Sequence, residues 1–178
     1  MNFNMDSHKG QMHPKERKYL YDIILRDKPI TCVECGTWKG GGSTYYISSA
    51  LLHNNKGKLL SWEIEDEFYE AAVTFYKEHV NEAEYVDLFH GDFIEGMKNA
   101  DIENIELAFL DGVSNEELQL NCFKVIEERS TSGTNVFMHD WKTNKNNLVK
   151  KHIKNSNIWD TVNVISDTVT GMCHIKRK

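Results

Sequence analysis

Short apolar runs alternate along this 178-residue chain with longer stretches whose apolar residues fall three or four apart. The runs predict strands at Ile30–Cys35, Lys58–Ile64, Tyr85–His90, Ile105–Asp111 and Thr134–His139. Leu107 to Leu110 is apolar throughout, as in a strand covered on both faces. Helices are predicted between them. Pro14 suits the first turn of one that runs to Asp27, with Leu20, Ile23 and Ile24 facing inward. The next covers Ser43 to Asn54 and stops at Asn55 and Gly57. Asp66 is expected to cap a third, reaching Val80, in which Phe68, Ala71, Ala72, Phe75 and Tyr76 form a core stripe. A short helix spans Phe93 to Asn99. Ser114-Asn115-Glu116-Glu117 reads as a capping box that opens a helix with Leu118, Cys122, Val125 and Ile126 on one face. Ser130 to Gly133 is expected to be a loop. A Lys- and Asn-rich helix follows from Asn144 to Lys154, and strands at Thr161–Ile165 and Met172–Lys176 close the chain.

Strands that alternate with helices predict a mostly parallel sheet with helices on both faces. The closing pair is too tightly connected for a crossover helix, so the last of the seven strands must run antiparallel. The length suits one domain, residues 1–178, with 1–13 as a polar, flexible N-terminal segment. A formal charge of −6 argues against a general nucleic-acid or membrane-surface binder. No apolar run approaches a bilayer span and no signal-peptide core opens the chain, so a cytoplasmic location is expected. Cys32 and Cys35 form a CxxC. Within a strand they face opposite ways, and no second pair completes a zinc site, so all four cysteines are expected to be reduced and buried.

Val33 to Ser43, VECGTWKGGGS, joins a strand to a helix through glycines, the layout of a nucleotide-binding corner. Glycines let the backbone approach a ligand, and the helix's first N–H groups face the same spot. Glu34 at the strand tip would repel a pyrophosphate and suit a cation. The dinucleotide pattern Gly-x-Gly-x-x-Gly is absent, since Gly36 is followed by Gly40. Acids recur at the later strand ends: Glu63, Asp92, Asp111 and the pair His139-Asp140. Ligands in open α/β sheets sit beyond those ends. Asp92 could equally cap the helix that follows it.

The acid-x-Gly-x-x-x-Gly pattern resembles the first motif of class I S-adenosylmethionine-dependent methyltransferases, whose ligand carries an ammonium and a sulfonium. The resemblance implies a Rossmann-like sheet of seven strands and a site built from Glu34, Gly36, Thr37, Gly40, Ser43 and Asp111. It gives Glu63 the ribose hydroxyls and Asp92 the adenine amino group, with Ile64 or Phe93 over the ring. MDSHKGQM, with Met5, is similar to the segment that closes over the methionine end of the cofactor in catechol-type O-methyltransferases. FLDG (109–112) and MHDW (138–141) resemble that group's metal-holding strand ends, which implies Mg2+ or Mn2+ on Asp111 and Asp140.

The sequence departs from the catechol-type pattern at three places. Trp141 stands where that group has Asn, Gly112-Val113-Ser114 stands where its catalytic Lys falls, and the first loop has an extra glycine. The His-Asp pair is similar instead to a broader group of small-molecule O-methyltransferases, including enzymes acting on antibiotic sugars. Methyl transfer needs alignment of acceptor, methyl and sulfur, and removal of the acceptor's proton. His139 is the candidate base; alternatively Asp111 and Asp140 hold a metal that lowers the acceptor's pKa. Asp140 is a catalytic candidate in either case. His8 and His13 could reach the pocket, and Trp38 and Trp141 could wall it. Lys142, Lys145, Lys150, Lys151 and Lys154 form a solvated face or steer an anionic acceptor. The expected partner is a small-molecule acceptor, in a pocket left open or completed by a second subunit as a homodimer. The rivals are a silent cofactor-binding or assembly protein, a nicotinamide-dependent oxidoreductase, and methylation of nitrogen or a nucleic acid.

Overall fold

The computed structural model describes residues 12–178. Helix α1 (Pro14–Asp27) opens on a reciprocal cap: the Glu16 carboxylate accepts from the His13 N–H at 2.9 Å, and the His13 ring accepts from the Lys15 N–H at 3.2 Å. Strand β1 (Thr31–Cys35), helix α2 (Ser43–Asn54) and strand β2 (Lys58–Glu63) follow as expected from the pattern. The chain continues through α3 (Asp66–Glu78), a turn of helix α4 (Val80–Ala83), β3 (Val86–His90), α5 (Phe93–Asn99), β4 (Ile105–Leu110) and α6 (Glu116–Glu128). It ends with β5 (Ser130–His139), a 3-10 turn (Asn144–Asn146), α7 (Asn147–Asn155), β6 (Trp159–Ile165) and β7 (Met172–Arg177).

The seven strands form one sheet in the order β3-β2-β1-β4-β5-β7-β6. β1 to β5 run parallel, and β7 inserts antiparallel between β5 and β6. Alternation along the central strands gives each face its own core. Cys32, Leu107, Phe109 and Phe137 meet α1 and α2 on one side, while Cys35, Ala108, Leu110 and Met138 meet α5 and α6 on the other. Cys32 and Cys35 therefore lie on opposite faces, as their spacing requires. All four cysteines are free thiols and buried. No described helix is long and apolar enough to cross a membrane.

Local expectations fail where a neighbouring group competes. Asn115, not Ser114, caps α6, because its amide oxygen reaches both the Glu117 and Leu118 N–H groups, at 2.8 and 3.1 Å. Asp66 does not cap α3. Glu65 holds the cap position without a side-chain bond, and Asp66 pairs instead with His90 at 2.9 Å. Ser130–Gly133 is not a loop: β5 starts at Ser130, which pairs with Ile105 before the register shifts. Thr134 bridges that irregularity, donating to the Ile105 carbonyl at 2.6 Å and accepting from the Thr131 N–H at 3.0 Å.

β1 and β4 are sheet neighbours whose connections leave in opposite directions, so a crevice opens beyond their carboxyl ends. Two glycines close its floor. A Cβ on Gly36 (φ +99°) would lie 2.5 Å from the Gly112 Cα, backbone against backbone. Gly36→Ala is therefore expected to lower unfolding free energy by about 2 kcal/mol or more, read as a fall in the urea midpoint. A midpoint equal to wild type would mean that the two loops do not touch.

Candidate cofactor and acceptor site

The crevice holds a cavity of ≈ 560 Å³, a size suited to a small-molecule ligand. Its floor is the first loop, with Gly36, Thr37, Gly42 and Ser43 exposed to it. Glu63 and Ile64 enter from the end of β2, Asp111 from β4 and Asp140 from β5. The loop is shaped by one clasp. Trp38 takes a left-handed backbone (φ 49°), costly for a bulky residue, and its N–H donates to Glu63 Oε2 at 2.7 Å. Glu63 Oε1 accepts from the Glu65 N–H at 3.0 Å. Each carboxylate oxygen keeps a further lone pair for a ligand. Gly40 is not on the cavity. It gives close approach to α3, since a Cβ there would lie 3.3 Å from the Ala72 Cα and from the Phe75 and Tyr76 rings.

Glu34 is fully buried under the glycine loop and does not line the cavity. Burial lifts its pKa to about 7 against the opposing hydroxyls of Ser43, Ser61 and Thr44. Ser61 bonds Oε2 at 2.7 Å, and Oε1 has no hydrogen-bond partner. The expectation of a free negative charge at this strand tip is thus corrected: desolvation makes Glu34 a group that is half protonated near neutrality.

At the opposite wall a chain of charges crosses four segments. The His139 ring, 3% exposed, lies between Glu16 of α1 (Nε2–Oε2 3.2 Å) and Asp111 (Nδ1–Oδ2 3.0 Å). Asp140 stands 3.4 Å from Nδ1. Lys145 Nζ then bridges Asp111 Oδ1 at 2.7 Å and Asp140 Oδ2 at 2.8 Å. The Thr168 hydroxyl donates to Glu16 from the loop before β7. Burial disfavours the His139 cation, but the hydrogen bonds to Asp111 and Glu16 and the charges of Asp111 and Asp140 outweigh it and raise the pKa to about 10. An imidazolium has no lone pair to accept a proton; in this geometry the charged ring holds Asp111 and Glu16 in place. Burial of Lys145 is likewise outweighed by Asp111 and Asp140, which hold the ammonium charged. Lys145 in turn keeps Asp140 below the usual carboxylate range against its own burial.

Donor atoms of Asp111, His139 and Asp140 lie within 4.8 Å of one another, the grouping implied for a divalent metal. As arranged they do not suit Mg2+ or Mn2+. An ammonium occupies the point between the two carboxylates, and both imidazole nitrogens are already engaged, by Asp111 and Glu16.

Other expected residues fall elsewhere. Asp92 is exposed and caps α5, accepting from the Glu95 N–H at 2.9 Å. Phe93 is buried edge-on against Trp62, outside the cavity. Met5 and His8 lie outside the described residues. Met12 is buried and lines the cavity, and His13 caps α1. Trp38 walls the cavity, whereas Trp141 lies outside it, with Lys150 Nζ 5.0 Å from its ring centroid. Phe68, read as core, lines the cavity edge-on to Trp38. Lys145 was hidden in a run of lysines, and Glu16 was hidden by its role in the cap of α1. The next residue, Asn146, was a usable signal: an amide after a lysine at a strand-end turn. Its NH2 group donates to the carbonyls of His139 and Asp140, each at 3.0 Å, and so fixes the turn.

A cavity at the switch point, floored by a glycine loop and rimmed by acids, is the layout of a class I methyltransferase fold. The sequence matches the methyltransferase-domain family over residues 33–141, and the chain belongs to that family. The sequence matches none of the curated proteins. Similar solved structures share the fold at low identity. An O-methyltransferase from Bacillus cereus in complex with SAH is 17% identical, with a TM-score of 0.76, 98% of this chain and 85% of that one covered. The O-methyltransferase TomG from Streptomyces achromogenes, involved in tomaymycin synthesis and solved with SAM, is 16% identical, with a TM-score of 0.77 over 94% and 81%. An SAH-bound methyltransferase from Podospora anserina is 13% identical, with a TM-score of 0.77 over 94% and 80%.

Glu34 gives the site a pH signature. Its folded pKa is raised from 4.5 to about 7, so the native state holds a proton that the unfolded chain has lost across that window. The stability due to this protonation is present at acid pH and is lost as pH rises through about 7. Glu34→Gln is therefore expected to gain about 3 kcal/mol relative to wild type between pH 4.5 and 8, from urea unfolding of the unliganded protein. A difference independent of pH would contradict the burial argument.

Proposed function

We propose that this chain is an S-adenosylmethionine-dependent methyltransferase that methylates a hydroxyl oxygen of a small molecule. The observation that carries the reading is the placement of Glu63 and Asp111 across one cavity above the Gly36 turn. Glu63, already fixed by two backbone N–H groups, would receive the ribose hydroxyls on its remaining lone pairs. Ile64, 58% exposed and on the cavity, would cover one face of the adenine. Gly36, Thr37, Gly42 and Ser43 would let the methionine part lie against backbone, and Asp111 would face its cationic end. S-Adenosyl ligands bound in structures of the same fold support this choice of cofactor.

In the reaction, a lone pair of the acceptor oxygen attacks the methyl carbon in line with sulfur. When bound, the cofactor would supply the methyl group on a sulfonium and leave as a neutral thioether, and the Asp140 carboxylate at the rim would receive the hydroxyl proton. The protein contributes alignment and charge placement. Calorimetry with S-adenosylhomocysteine tests the cofactor assignment. Wild type is expected to bind, and Glu63→Ala to bind at least about tenfold more weakly, the loss of hydrogen bonds to a charged acceptor. No heat with wild type, or equal affinity in the variant, would overturn it.

A further inference from the structure

The ammonium of Lys145 stands at the point where the two strand-end carboxylates converge. It is 2.7 Å from Asp111 Oδ1 and 2.8 Å from Asp140 Oδ2, and only 7% of its side chain is exposed. This is a built position rather than a surface lysine folded back. Asp140 adopts a left-handed backbone (φ 54°), and its carbonyl is taken by the Thr143 N–H and hydroxyl, both at 2.9 Å, and by the Asn146 amide. Asn146 is fully buried and is itself oriented by Gln119, whose NH2 donates to Asn146 Oδ1 at 3.1 Å. The 3-10 turn so locked carries Lys145 inward, while Lys142 and Lys151 in the same basic stretch are exposed.

We propose that Lys145 takes the place of a divalent cation in this site and acts as a catalytic residue, so that the protein works without a metal. The catalytic part rests on the methyl-transfer reading above. An ammonium has three N–H donors, and the two carboxylates use two of them. The third is available to the cavity, which Lys145 lines. There it donates a hydrogen bond to the acceptor oxygen and stabilises the negative charge that develops as the proton leaves for Asp140. Lys145 keeps its own proton throughout. The methyl carbon gains the oxygen's pair and loses the sulfur's, so the step balances with no further reactant.

The test uses Mn2+ alone, followed by electron paramagnetic resonance, on wild type and on the neutral variants Lys145→Met and Lys145→Gln. Circular dichroism would select the folded variant. With the ammonium in place, Mn2+ is expected not to bind wild type. Removing it leaves Asp111 and Asp140 facing each other, and Mn2+ affinity is expected to rise at least about tenfold. Mn2+ binding by wild type would overturn the proposal. So would silence in the folded variant, because the carboxylates would then not form a cation site. S-Adenosylhomocysteine affinity is read separately by calorimetry, so failure of the cofactor assignment and failure of the cation substitution are distinguishable.

Discussion

The imidazolium of His139, held between Glu16 and Asp111, is the contact on which the site depends. It joins the first turn of α1 to the ends of β4 and β5, three segments distant in sequence. Glu16, 1% exposed, could not be taken from water at this depth without it. Breaking such a buried pair from one side typically costs about 3–5 kcal/mol, because the surviving charge is left uncompensated. The pair is thus a constraint on geometry more than a source of net stability. Asp111 is pinned on one edge by imidazolium and on the other by ammonium, and the direction in which its carboxylate faces the cavity follows.

The other wall obeys a different rule. There the backbone is shaped first, by the Gly36–Gly112 contact and the Glu63 clasp on Trp38, and charge comes second. Glu63 is useful because its side chain is half satisfied by its own protein, which fixes the direction of its free lone pairs. Glu34, one strand away, illustrates the contrasting case. Full burial, facing the hydroxyls of Ser43, Ser61 and Thr44, leaves it a structural polar group under the loop. Two acids at neighbouring strand tips therefore differ in their partners and in their access to the cavity.

The fold was legible because its signals are periodic and redundant. Alternating strands and helices, and a closing pair too short for a crossover, sufficed for the topology. The acids at the strand ends were legible for the same reason, since strand ends locate the crevice. Depth and pairing were not. Nothing local distinguishes buried Glu34 from cavity-facing Glu63, or Lys145 from Lys142, because those differences arise from the packing of segments far apart in the chain. The pairing of His139 was hidden for this reason: its ring is held by Asp111 and by Glu16, the latter 123 residues away. Asp92, offered by the sequence both as an adenine contact and as a helix cap, caps α5, and Phe93, offered as a cover for the adenine, packs in the core against Trp62.

The most direct test of the central clamp is a double-mutant cycle on Glu16→Gln and Asp111→Asn, read by urea unfolding at neutral pH. These side chains act on each other through the ring between them. Once one is neutralised the imidazolium is no longer held on both sides, so the second loss should cost less than it does alone. A coupling energy above about 1 kcal/mol is expected. Additive effects, within about 0.5 kcal/mol, would show that Glu16 and Asp111 do not share a charged His139 and would contradict the account.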